Sequence, residues 1–140
     1  MTIEQVRLVQ STWDKVVPIS EQAAALFYGR LFELDPALRP LFKTDIKLQG
    51  QKLMTMINAA VRGLSDLNRL VPVVEDLGRR HVGYGVQDKH YATVGAALLW
   101  TLEKGLGEAF TPEVKEAWAT TYGVLSTTMQ NAAAKVPAPA

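Results

Sequence analysis

Apolar residues recur at helical spacing along nearly the whole chain, and prolines and glycines interrupt them at intervals. Near the start, Ile3, Val6, Trp13 and Val17 fall on one face of a helix, and Pro18 follows them. The alternation of apolar and polar residues that predicts strands is not found in the sequence. The chain is therefore expected to be all-α, with about seven helices and no sheet.

Residues that favour helix ends predict the first boundaries. Thr2 and Gln5, three residues apart, form a capping box for the first helix. Ser20 is expected to cap the second helix. Asp35-Pro36 ends that helix, because proline disfavours helical geometry in the residue before it, and a short turn is expected over 36–42.

The following helices are predicted to be longer. One runs over about 45–67, and a segment over about 70–82 follows it, with Pro72 in its first turn. A further helix is expected over about 89–106, where Gly107 favours its end.

The last helix is predicted to begin at Thr111, which can cap it. Trp118 and Tyr122 on this helix are expected to serve packing. A chain of 140 residues is long enough to bury a sizeable core. We therefore expect a single domain over 1–132 and a frayed tail over 133–140.

Composition excludes several classes of function. A net charge of +1 lacks the excess of Lys and Arg that nucleic-acid binding requires. The absence of cysteine excludes disulfides and thiol catalysis. The first residues lack the basic start and apolar stretch of a signal peptide, and no apolar run approaches the roughly 20 residues of a membrane span. A cytoplasmic protein is the expectation.

Two histidines, His81 and His90, are the whole stock of imidazole and thiolate ligands. A single imidazole cannot hold a zinc ion, which takes about four donors. It can complete the coordination of an iron already held by porphyrin, so the sequence favours haem. Taken alone, His81 is more simply interpreted as a core histidine that donates to the carbonyl of Leu77, one helical turn earlier.

An ordered set of short motifs carries a family resemblance. They are Phe27-Tyr28, Leu31-Phe32, Asp35-Pro36, Leu41-Phe42, Gln49 with Leu53, Leu77-Gly78-Arg79-Arg80-His81, Ala117-Trp118 and Tyr122-Gly123. With them the chain resembles a globin from about Ile3 to Met129, most closely the bacterial single-domain globins and the globin part of flavohaemoglobins. The stretch 77–129 also resembles neuroglobin. This resemblance implies the globin fold, a three-over-three helical sandwich enclosing a b-type haem.

The resemblance assigns roles around the haem. It makes the outer ring nitrogen of His81 the iron ligand, with the Leu77 carbonyl orienting the ring, and it makes Phe42 the residue that stacks on the macrocycle. The apolar lining implied in the same way consists of Leu53, Val86, Tyr91, Val94 and Leu98. Candidates for the haem propionates, each equally interpretable as a solvated surface residue, are Lys52, Arg80 and His90.

Tyr28 and Gln49 match the positions that face bound gas in the resembling globins. A phenol and a carboxamide both donate hydrogen bonds, which favour O2 over CO and predict slow O2 release. The simpler interpretations are a core tyrosine with its hydroxyl at the surface and a solvated helix glutamine.

Two departures from the resembling families narrow the function. Gln49 stands where neuroglobin has a distal histidine, so bis-histidine iron is not expected through this position. Water or Tyr28 is left open as the sixth ferric ligand. Ala133 stands where flavohaemoglobins carry a glutamate that pairs with the proximal histidine, which argues against flavohaemoglobin-like catalysis.

The expected function is reversible O2 binding for storage, transport or scavenging, through a five-coordinate ferrous haem. The expected gas ligands are O2, CO and NO, and the expected state is a monomer or weak homodimer. An enzymatic alternative is NO dioxygenation with an external reductase, since no flavin or nicotinamide domain follows in this sequence. Gas sensing ranks third, and a haem-free helical bundle is the remaining alternative.

Overall fold

The computed structural model describes residues 2–42, 45–83 and 88–135. Its α-helices in these ranges are α1 (Ile3–Val16), α2 (Ser20–Leu34), α3 (Ile46–Gly63), α4 (Leu67–Gly83), α5 (Asp88–Leu106) and α6 (Pro112–Ala134). Three short 3-10 helices accompany them, at Val17–Ile19, Pro36–Leu41 and Gly107–Ala109. The described ranges contain no strand, so the all-α prediction is confirmed. Val86 and residues 136–140 lie outside the described residues.

Side-chain caps confirm several predicted boundaries. Thr2 and Gln5 form both hydrogen bonds of the capping box, at 3.0 and 2.9 Å. The Thr111 hydroxyl accepts from the backbone N–H of Val114 at 3.2 Å, at the start of α6. Gly107 follows α5 with a φ of +56°, a conformation that glycine adopts without a steric penalty.

Other boundaries differ from the predictions. Ser20 is the first residue of α2, and its predicted capping hydrogen bond is absent, because the 3-10 turn before it leads directly into the helix. Pro72 lies inside α4 rather than in its first turn, since that helix begins at Leu67. Conversely, α3 ends at Gly63, four residues before the predicted end. At the other end of the chain, α6 extends to Ala134, two residues into the segment predicted to fray.

The helices pack in pairs around one core. α4 packs on α6, α2 packs on α5 and on α3, and α1 packs on α6. Trp13, Leu31, Leu102 and Val9 are among the most completely buried side chains. Within the described ranges, no helix has both the length and the hydropathy that a membrane crossing requires.

Glycines allow α4 and α5 each to approach α6 closely. A Cβ on Gly78 of α4 would lie 2.7 Å from the Met129 Cα of α6, which is closer than atoms can pack. A Cβ on Gly95 of α5 would lie 2.7 Å from the Tyr122 ring of α6. These glycines therefore set how near α4 and α5 lie to α6, and α4 and α5 carry His81 and Tyr91.

Candidate functional site

His81 lies in the last turns of α4, half-buried. Its Nδ1 is 2.6 Å from the carbonyl oxygen of Leu77, one helical turn earlier. Because a carbonyl oxygen only accepts, Nδ1 carries the proton and donates it. In the neutral ring, Nε2 is then the nitrogen with the lone pair, which is the form that a metal ligand needs.

The surroundings of His81 favour this neutral ring. Burial lowers the pKa of His81 below its usual value and is the main cause of the shift. The hydrogen bond to Leu77 opposes the shift, and the positive charge of Arg80 adds to it. An imidazole ligand must be deprotonated at the nitrogen that binds, so the lowered pKa favours ligation at neutral pH.

Tyr91 of α5 lies beside His81. The two ring centroids are 6.4 Å apart, and the Tyr91 side chain is buried. The Tyr122 hydroxyl of α6 donates to the Tyr91 carbonyl oxygen at 2.6 Å. Burial, and to a lesser degree the neighbouring Tyr91, raises the pKa of Tyr122 above its usual range, so its phenol stays a donor. The hydrogen bond gives Tyr122 a role beyond the predicted packing.

Tyr28 of α2 lies in a cluster of aromatic rings. Its ring packs edge to face on Phe27 and on Phe42, with centroids 5.2 and 5.3 Å away, and it stacks on Phe32 at 6.0 Å. Only 5% of the residue is exposed. Burial raises the pKa of Tyr28 to about 12, so its hydroxyl is protonated at neutral pH. This burial agrees with a core tyrosine, and the position of its hydroxyl at the surface or in a gas pocket stays a prediction.

Gln49 lies in the first turn of α3, half-buried. The next residue, Gly50, packs against α2: a Cβ there would lie 2.9 Å from Ala24 and 3.9 Å from the Tyr28 ring. The close approach of α2 and α3 thus brings the Tyr28 ring next to the residue that follows Gln49. The two predicted hydrogen-bond donors belong to the same region of the fold.

The remaining residues of the predicted site differ in how deeply they are buried. Leu53 and Val94 are half-buried and pack against the core, and Leu98 is a buried member of that core. Lys52 is exposed. Arg80 is also exposed and forms an ion pair with Asp76 at 3.1 Å.

His90 differs from these two cations. Its residue is only 8% exposed, so it is not a solvated surface histidine. In the part of the chain that the structure describes, no group of three His, Cys, Asp or Glu side chains could hold a metal ion.

Comparisons with known proteins identify the family and the fold. A family model described as Globin matches residues 25–129. Neuroglobins of Tetraodon nigroviridis and Danio rerio are each 32% identical over 91% of this chain and 89% of their own length. A flavohemoprotein of Bacillus subtilis is 32% identical over 86% of this chain, which spans 31% of that protein.

A solved structure has the same fold. The hexacoordinated haem protein of an anhydrobiotic tardigrade, at pH 4, superposes with a TM-score of 0.87 over 96% of each chain, at 17% sequence identity. The similarity extends over nearly every element of the present structure.

Proposed function

Because the chain belongs to the globin family, we propose that it binds haem and uses it for reversible binding of O2. Haem supplies the iron that binds the gas, and the protein supplies one ligand and a closed environment. Taken together with the family match, the hydrogen bond between His81 and Leu77 is the observation that carries the proposal. It holds the ring in the tautomer that iron ligation needs.

The residues present fit a haem. His81 and Tyr91 lie on the proximal side in this assignment, and Phe42 lies against the Tyr28 ring on the other side. Phe42, Leu53 and Val94 are only partly buried by the protein itself, as expected of side chains that a flat cofactor covers. A b-type haem is the type proposed, because the thioether attachment of a c-type haem requires cysteines and the chain has none.

The residues assigned to the side of the haem opposite His81 favour the binding of O2 over CO. The buried Tyr28 phenol keeps its proton, and Gln49 offers a carboxamide, so both groups donate. Donors in a dry pocket stabilise a gas ligand that gains negative charge, such as O2, more than one that does not, such as CO. We therefore propose a five-coordinate ferrous resting state with high O2 affinity. The predicted cytoplasmic location and monomeric or weakly dimeric state accompany this proposal.

NO dioxygenation is the second candidate, favoured by Tyr91 beside His81 and by the flavohemoprotein relative. Ala133, half-buried on α6, offers no carboxylate to strengthen the proximal histidine, which favours simple O2 binding. Sustained NO consumption with an added reductase would establish the enzyme. A single stoichiometric reaction with NO would leave O2 binding as the function.

The two histidines allow a matched test. His81→Ala should purify without the Soret band of the wild type, and added imidazole should restore the band, because it replaces the missing ligand. His90→Ala should keep a Soret band, because a contact with a haem propionate does not supply the iron ligand. Optical spectra of the ferric, ferrous and CO-bound forms report cofactor and coordination together. A His81→Ala protein with an unchanged Soret band would refute the proposal.

A further inference from the structure

A groove of about 510 Å³ lies between α2 and α3, on the side of the molecule that carries Tyr28. It follows both helices for about two turns, from Ser20 to Tyr28 and from Ile46 to Thr55. At about 1.5 Å per residue, this corresponds to a length of roughly 12 Å. It is therefore long enough to lead from the surface to a buried side chain.

The groove has charged residues at its outer rim and small side chains along its floor. Glu21 and Lys47, both largely exposed, form an ion pair across the rim at 3.6 Å. The floor includes the buried Ala24 and Gly50, which pack against each other where the two helices approach, and the exposed Ala25 also lines the groove. Small side chains here let α2 and α3 approach closely, and they form an apolar floor.

The inner end of the groove is Tyr28, which is buried. The same ring packs edge to face on Phe42, the residue assigned to the haem face. Tyr28 therefore borders both the groove and the candidate gas pocket. Its neighbours Phe32 and Phe42 are only partly buried, which leaves room for the Tyr28 ring to change its side-chain torsion.

We propose that this groove is the route by which diatomic gases enter and leave the pocket, with Tyr28 as its inner gate. O2, CO and NO are small and weakly polar, so they need an apolar path rather than hydrogen-bonding partners. Ala24, Gly50 and Met54 supply such a path. The proposal rests on the proposed function, because it assumes a gas-binding haem beside Tyr28.

Filling the groove provides the test. Ala25 is exposed and lines the groove, so Ala25→Trp adds bulk there without altering the core. Ala59→Trp is the matched control, because Ala59 is an exposed α3 residue that does not line this groove. CO association after flash photolysis and CO dissociation by ligand replacement give both rate constants.

A blocked route slows entry and exit alike. In Ala25→Trp both CO rate constants should fall several-fold by the same factor, with the equilibrium affinity unchanged, while Ala59→Trp keeps wild-type rates. Wild-type CO rate constants in Ala25→Trp would overturn the proposed route, and they are the result expected if gases enter past Gln49. A change in CO affinity that comes from only one of the two rate constants would also overturn it. Ala25→Phe repeats the test with a smaller ring should the tryptophan variant not fold. A wild-type protein that binds no CO would instead refute the proposed function.

Discussion

At the scale of single residues, the environment of Tyr28 determines what its hydroxyl can do. Three aromatic rings surround it, and burial raises its pKa to about 12. A phenol in such a site stays protonated and donates, whereas an exposed hydroxyl would exchange its hydrogen bonds with water. Phenylalanine has the same shape without the donor, so Tyr28→Phe isolates the hydrogen bond.

We expect Tyr28→Phe to release O2 about tenfold faster than the wild type, since one such bond contributes on the order of 1–2 kcal/mol. CO, which accepts hydrogen bonds weakly, should dissociate at nearly the wild-type rate and serves as the control ligand. Stopped-flow measurement of both rate constants checks the prediction. Equal acceleration for O2 and CO would mean that the substitution has opened the pocket rather than removed a donor.

The raised pKa of Tyr28 also predicts a dependence of stability on pH. The folded state holds this proton more tightly than the unfolded chain, whose tyrosines titrate near pH 10. The stability that the neutral phenol contributes is complete below about pH 10 and is lost as the pH rises towards about 12. Urea unfolding across this interval should show a smaller loss of unfolding free energy in Tyr28→Phe than in the wild type. If the unfolding free energies of the two proteins fell by the same amount over this pH interval, the raised pKa of Tyr28 would be contradicted.

The candidate site was predictable where its contacts are local. His81 and Leu77 are four residues apart on one helix, so helical geometry alone brings the ring nitrogen to the carbonyl. The hydrogen bond from Tyr122 to Tyr91 joins residues 31 apart on different helices, and its position depends on how α5 and α6 pack. Gly95 is the signal that sequence reasoning missed, because only a glycine leaves room there for the Tyr122 ring.

At the scale of elements, helix ends were predictable where a side chain fixes them. The Thr2 and Thr111 caps form local hydrogen bonds, so the sequence contains their whole cause. Pro72 shows the opposite case. A proline inside a helix costs about 3 kcal/mol, which favours a helix start near it. Leu70 and Val74, on either side of it, are buried, and their tertiary packing outweighs that local preference.

The crossing of α4 and α6 depends on Gly78. A methyl group there would meet the Met129 backbone, which cannot move aside as a flexible side chain can. Gly78→Ala should therefore destabilise the fold by about 1–3 kcal/mol, the usual cost of overpacking. The displaced α4 should also weaken haem retention, because it carries His81 three residues further on.

Gly123→Ala is the matched control for this prediction. A Cβ at Gly123, an exposed position on α6, meets nothing within 4 Å. Alanine there should stabilise the fold by roughly 0.5–1 kcal/mol through its higher helix propensity. Thermal and urea unfolding of the two variants give the comparison. Similar stabilities for Gly78→Ala and Gly123→Ala would show that the crossing tolerates a side chain.

At the scale of the whole molecule, the first and last helices are held together by their tryptophans. The rings of Trp13 and Trp118 are 6.1 Å apart between centroids. The Trp118 indole N–H donates to the Thr12 hydroxyl at 2.9 Å, across 106 residues of chain. Trp13 donates in turn to Asn58 of α3 at 3.0 Å. One partly buried and one buried hydrogen bond therefore join α1 to α3 and to α6. The sequence predicted that Trp13 and Trp118 lie on the first and last helices, but their hydrogen-bond partners depend on the assembled fold.

Thr12→Val keeps the shape of this contact and removes its acceptor. The buried Trp118 N–H then has no hydroxyl to receive it, which should cost about 1–3 kcal/mol of unfolding free energy. Thr12 itself donates to the Leu8 carbonyl, four residues earlier, at 2.6 Å. Thr55→Val is the control, because Thr55 makes the same kind of hydrogen bond, to Gln51 at 2.9 Å, on an exposed face. The loss of this bond should stay within about 0.5 kcal/mol. Urea unfolding of both variants measures the difference. Because Thr12 links the first and last helices, its loss should lower the stability of the whole fold in one cooperative unfolding transition. Equal losses of unfolding free energy in Thr12→Val and Thr55→Val would contradict this role.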